Sequence, residues 1–199
     1  MLKWDDAGEG LPLITEYQQL KIEQAHRIGT RDNLMYATLA SIAAVAVGAY
    51  QARIADLLLL LPPGCVILGW TYLVNDQKIS AIGRYIRLDL GPRVTELVGS
   101  KTPVFGWESN HRSDRRRRSR KIIQLGADLM TFCVPGLIAI AARLTIASSS
   151  ILTMVIVAVE ITLVVILGTQ IVVNADLARD RPWSAADDDL LPATRDAAR

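Results

Sequence analysis

The chain has 199 residues, 51% of them hydrophobic and 21% charged, with a mean hydropathy of +0.27 and a formal net charge of +2. The distribution excludes more than the totals do. Residues 151–171 carry Glu160 as their only charge, a segregation that an ordinary water-soluble domain does not make. The near-neutral balance identifies no partner, because it averages a basic middle with the acidic run Asp187-Asp188-Asp189.

Residues 1–11 read as a poorly ordered start, and no cleavable leader is expected, since the first apolar run begins near Leu34. Pro12 opens a helical pattern in which Leu13, Tyr17, Leu20 and Ile28 recur near a 3.6 period. Nothing but Gly29 interrupts it, so residues 12–50 read as one helix, wet in its first half and lipid-embedded in its second. Within residues 34–50, Ala40, Ala44 and Gly48 repeat every four residues. Small residues at that spacing allow close helix approach in lipid, either inside one chain or between subunits.

Residues 57–74 form the second span, with Pro62-Pro63-Gly64 predicting a kink or a delayed helix start. Trp70 and Tyr72 are expected in the aromatic belt at its end. Ile79, Ile82, Ile86 and Leu90 then mark one face of a second wet helix, which should stop near Gly91-Pro92. Its apolar stripe matches that of the amino-terminal helix, and the two are expected to pair as a stalk. Phe105 and Trp107 are expected as aromatic anchors of the following turn, on the stalk or in the headgroup region.

A basic run at residues 111–121 leads into residues 122–142, and residues 150–173 complete a second apolar pair. Each apolar segment is long enough, or nearly so, to cross a hydrocarbon core of roughly 30 Å. Basic clusters beside a span remain on the cytoplasmic side. The expected fold is therefore all-α and polytopic: four transmembrane helices as two hairpins, both termini cytoplasmic, with cytoplasmic helical extensions. The organisation follows as residues 1–33 (wet helix), 34–74 (first hairpin), 75–121 (basic helix and loop), 122–173 (second hairpin) and 174–199. The last of these should extend the fourth helix by two turns before a largely disordered tail. The expected location is the inner (plasma) membrane, as a multi-pass protein.

The order of features resembles small bacterial four-span integral membrane proteins that carry a polar helix into a membrane hairpin. Those proteins have Tyr-Ile-Arg and Gly-Trp-Glu segments, matched here by Tyr85-Ile86-Arg87 and Gly106-Trp107-Glu108 over about the first two-thirds of the chain. The resemblance implies the membrane architecture and no activity. The layout is also similar to that of two- and four-span effectors of bacterial nucleotide-signalled defence systems, although no nucleotide-sensing motif is present.

Chemistry concentrates at a few residues. Asp128 and Glu160 are carboxylates inside predicted spans, where a charge costs roughly 3 kcal/mol on insertion scales. With Gln124 and Thr131 they could form a polar path for ions or protons; alternatively, each is a neutral, hydrogen-bonded acid that joins helices. Glu160 is expected to face a pore or subunit interface rather than lipid, and Asp128 to reach toward Arg120 or Lys121. Arg115, Arg116, Arg117, Arg118, Arg120 and Lys121 should attract anionic headgroups or an acidic partner. Nucleic acid is not an expected partner. Cys65 and Cys133 read as buried free thiols, no metal or cofactor site is expected, and His26 and His111 fit no catalytic pattern, so an enzyme is not expected.

Two functions follow. One is a homo-oligomeric, channel-like or pore-forming effector that uses the membrane carboxylates. The other is a non-conducting scaffold or sensor that recruits a cytosolic protein through the stalk and basic loop. A small proton-coupled transporter is a third and weaker fit, because the two hairpins show no convincing repeat.

Overall fold

A computed structural model describes residues 4–100, 104–105, 117–148 and 150–175. The described residues form six α-helices and no strand: α1 (Trp4–Ala52), α2 (Leu61–Tyr85), α3 (Gly91–Val98), α4 (Arg117–Phe132), α5 (Val134–Ile146) and α6 (Ile151–Asn174). Short 3₁₀ and π segments, Ala55–Leu60 and Ile86–Leu90, flank α2. Among the described residues, four stretches are long and apolar enough to cross a membrane: Gly10–Ala52, Ala55–Val98, Lys121–Ile146 and Ile151–Asn174. The chain is thus a multi-pass membrane protein by helix length and composition.

The 49 residues of α1 make a helix about 74 Å long, more than twice the hydrocarbon thickness, so much of it must project beyond the bilayer. It begins at Trp4 rather than Pro12. Pro12 removes one backbone donor and is absorbed inside the helix. At the far end Arg53 adopts a left-handed φ of 53°, and the chain turns back.

The segment after this turn resolves the Pro62-Pro63 signal as a delayed start. Residues Ala55–Leu60 wind as a tight 3₁₀ helix, and α2 begins at Leu61 with proline in its first turn, where a missing N–H costs least. From there α2 runs back along α1 as the central helix, touching α1, α4, α5 and α6.

Three apolar clusters hold the assembly. In the middle, Tyr72, Leu73, Phe132, Cys133, Val164 and Leu167 pack where α2, α4 and α6 meet. Near the return turn, Leu61 and Cys65 pack on Ala139, with Ile42 and Val45 of α1 against them. The stalk has its own core: Ile86, Leu90 and Val94 are buried against Leu13, Tyr17 and Leu20 of α1. The expected pairing of the two wet stripes is therefore seen. Phe105 joins it by stacking on Tyr17, with ring centroids 4.0 Å apart and planes 8° from parallel. Trp107 lies outside the described residues.

The second stalk helix does not stop at Gly91-Pro92. A π turn widens the helix there, with the Gly91 N–H donating to the Ile86 carbonyl, and Pro92 enters the first turn of α3. A Cβ on Gly91 would stand 3.0 Å from the Ile86 carbonyl oxygen, so the widened turn depends on glycine. Helix α3 ends after Val98, where Gly99 takes a left-handed φ of 63°. The stalk is thus the two turns of α3 longer than its sequence pattern suggests.

The third apolar segment is two helices. Pro135 cannot donate to the preceding turn, and α4 breaks from α5 at Cys133. The ladder resumes on either side through Cys133 N–H to Leu129 O (2.9 Å) and Leu137 N–H to Cys133 O (3.2 Å). Ser150 caps α6, its hydroxyl accepting from the Thr153 N–H. Helix α6 ends at Asn174, where Ala175 turns extended; the rest of the expected two-turn extension and the tail lie outside the described residues.

Candidate functional site

The predicted membrane acids occupy two separate environments. Asp128 on α4 is buried and accepts a 2.7 Å hydrogen bond from the Tyr72 hydroxyl of α2. Tyr72 is therefore a buried partner rather than a belt residue; Trp70, at 47% exposure, keeps the outward position. A cleft between α2, α4 and α6 brings Gln124 and Lys121 beside Asp128, with Asp76 and Asn174 at its rim and Leu73, Leu125 and Ile171 as apolar wall. Its space, about 20 Å³, accommodates one water-sized molecule. Asp128 takes its direct bond from Tyr72, not from Lys121.

Around this cleft runs a polar seam between α1 and α2. Arg31 pairs with Asp76 at 3.2 Å, Arg27 donates to the Asn75 side chain at 3.3 Å, and Gln24 reaches the Ile79 carbonyl. Farther along the stalk, the Tyr85 hydroxyl donates to Glu16 at 2.7 Å. That hydrogen bond to a carboxylate holds the Tyr85 phenol above its ordinary pKa.

Glu160 is elsewhere. It shares the inward face of α6 with Val164, Leu167 and Ile171, and only Ile171 reaches the cleft. The eleven residues from Glu160 to Ile171 span about 16 Å of helix. Val164 and Leu167 fill that interval, and Leu167 and Phe132 crowd against Gly69. A polar path from Asp128 through Gln124 and Thr131 to Glu160 is not formed; an apolar layer replaces it. Glu160 is 6% exposed, and its Oε2 has no hydrogen-bond partner. It faces the interior of the single chain, not its outer surface.

The sequence reading missed Arg143, which is 3% exposed near the end of α5. Its guanidinium pairs with Asp56 of the 3₁₀ segment and donates to the carbonyls of Ala147 (2.9 Å) and Ser148 (3.2 Å). One side chain thus ties together the two turns at the end opposite the stalk. The signal was present: an arginine at a span end, followed by Ser148-Ser149-Ser150 and facing the only acid in the other short turn.

The remaining candidates separate. Ala40 and Ala44 are exposed, and a Cβ on Gly48 would meet nothing within 4 Å; α1 uses Thr38, Ile42, Val45 and Ala49 for its inward face instead. Arg115 and Arg116 lie outside the described residues. Arg117, Arg118 and Arg120 fall on the first turn of α4, and Lys121 is half-buried. Cys65 and Cys133 are buried free thiols. No cluster of His, Cys, Asp or Glu among the described residues suits a metal ion.

No family model, curated protein or solved structure matches this chain. Tyr85-Ile86-Arg87 spans the junction of α2 and the π turn, whereas Gly106-Trp107-Glu108 lies outside the described residues.

Proposed function

We propose that this protein is a non-conducting membrane scaffold or sensor, which presents its stalk and basic segment to a cytosolic partner. In this reading four helices cross the inner membrane as two hairpins, with the stalk and both termini in the cytoplasm. The basic run of residues 111–121 favours that orientation, since Arg143 at the opposite end is matched by Asp56. The same run would hold anionic headgroups close to the base of the stalk. No catalytic role is proposed for any residue.

The observation that carries the reading is the apolar layer between Asp128 and Glu160. A conducting route through one chain would have to pass Phe132, Val164 and Leu167 without a polar group to replace water. The stalk supports it from the other side: a packed rod with its own core suits transmission of position, not chemistry.

A second reading, an oligomeric channel-like effector, rests on the unpartnered Glu160 oxygen. Ion flux in proteoliposomes separates the two. The scaffold reading expects wild type and Glu160→Gln to be equally silent at both voltage signs and across pH. Flux through wild type that disappears in Glu160→Gln, with both proteins equally folded, would establish the channel.

A further inference from the structure

Helix α1 is apolar on two opposite faces, and among the described residues only one is covered. At about 100° per residue, Leu13, Leu20, Thr38, Ile42 and Val45 cluster on the side that meets α2. Half a turn away runs a second face, apolar and exposed in two stretches that Gly29, Asp32 and Asn33 separate. In the wet half it presents Leu11 (70% exposed), Ile14, Ile22 (64%) and Ala25. In the lipid half it continues as Tyr36, Ala40, Ala43 and Val47.

In lipid such a face needs no cover. In water apolar surface is better covered than left exposed. We propose that a second copy of this chain covers it, the two α1 helices running parallel as one seam that starts on the stalk and continues into the bilayer. The inference rests on the proposed topology, in which α1 passes from water into lipid.

Three observations select a second copy. First, the two apolar stretches lie on the same side of α1 across the membrane boundary, with Asp32 and Asn33 between them off the centre line. A soluble partner or a polar segment could cover only the wet half, whereas an identical α1 follows the whole length. Second, a parallel two-fold pair sets each central residue against its own counterpart, so a charge there would repel itself. From Leu11 to Gly29 the centre of the face carries none: Lys21, Glu23 and Arg27 all lie on its flanks or on the opposite side. Gln18, the one polar residue at the centre, can bond its own counterpart, because an amide both donates and accepts. Third, Ala40 and Ala43, one turn apart, are small enough for close helix approach where lipid offers no hydrophobic drive.

The test is a cysteine scan across residues 14–25 and at Ala40 in native membranes, on a Cys65→Ala, Cys133→Ala background, with mild oxidation. The proposal expects disulfide-linked dimers of the chain's own mass to peak at Gln18→Cys, Ile22→Cys and Ala25→Cys. Yields there should be several-fold above that at Glu23→Cys. Adding Ile22→Glu should abolish the cross-link at Ala40→Cys while the melting temperature of the purified protein is kept. A flat profile or an all-monomer profile overturns the proposal, and cross-links to a product of different mass assign the seam to another membrane protein. An impermeant maleimide applied to Gln19→Cys from each side of the membrane reports the topology separately, so a failed dimer and a failed topology read differently.

Discussion

The hydroxyl of Tyr72 gives the Asp128 carboxyl its direct hydrogen bond inside the bundle. Tyr72→Phe keeps the ring against Phe132, whose centroid lies 4.9 Å away, and removes the hydroxyl, with that bond and its interaction with the Gln124 side chain. An oxygen left unsatisfied in such a place costs about 1–3 kcal/mol. Tyr72→Phe should therefore lower the melting temperature in detergent clearly. Asp128→Asn, which retains an acceptor for the hydroxyl, should lower it less; a Tyr72→Phe protein that melts with the wild type would mean that the bond contributes nothing. Sequence reading found Asp128 and missed its partner, because an aromatic residue near a span end fits the interfacial belt equally well. The choice is made by helix rotation, which places Tyr72 inward and Trp70 outward. Arg143 was missed for a related reason: its role depends on bringing two turns together that are 87 residues apart.

At the scale of elements, the bundle is set by where helices come closest. Gly69 is such a point: a Cβ there would stand 2.8 Å from a Leu167 methyl and 3.0 Å from Phe132. Gly69→Ala should destabilise by about 1–3 kcal/mol through overpacking, whereas Gly29→Ala, which meets nothing within 4 Å, should be neutral or mildly stabilising. Thermal melts of the pair check this, and equal behaviour would place the α2–α6 contact elsewhere. Periodicity and length made the four apolar helices and the stalk pairing legible in advance, because burial of a stripe is a local property of sequence. The π turn at Ile86–Leu90 was not legible. Gly91-Pro92 carries the same signal whether a helix ends or merely widens, and the buried contacts of Leu90 and Val94 decide for widening.

On the scale of the whole molecule, a sealed bundle is joined to a rod through α1 and α2, which belong to both. Arg143 and Asp56 secure one end, and the Arg31–Asp76 pair marks the base of the rod at the other. The apolar layer of Phe132, Val164 and Leu167 was not legible in sequence, because depth along each helix says nothing about which residues fill the gap between two acids. Everything functional depends on the two ends facing opposite compartments. The most direct test is side-specific labelling of Gln19→Cys, on the stalk, and Ser148→Cys, in the turn between α5 and α6, in a background lacking Cys65 and Cys133. With an impermeant maleimide, Ser148→Cys should react in intact spheroplasts and Gln19→Cys only in inverted vesicles. Labelling of both positions from the same side would contradict the four-span arrangement, and with it the account of stalk, seal and seam.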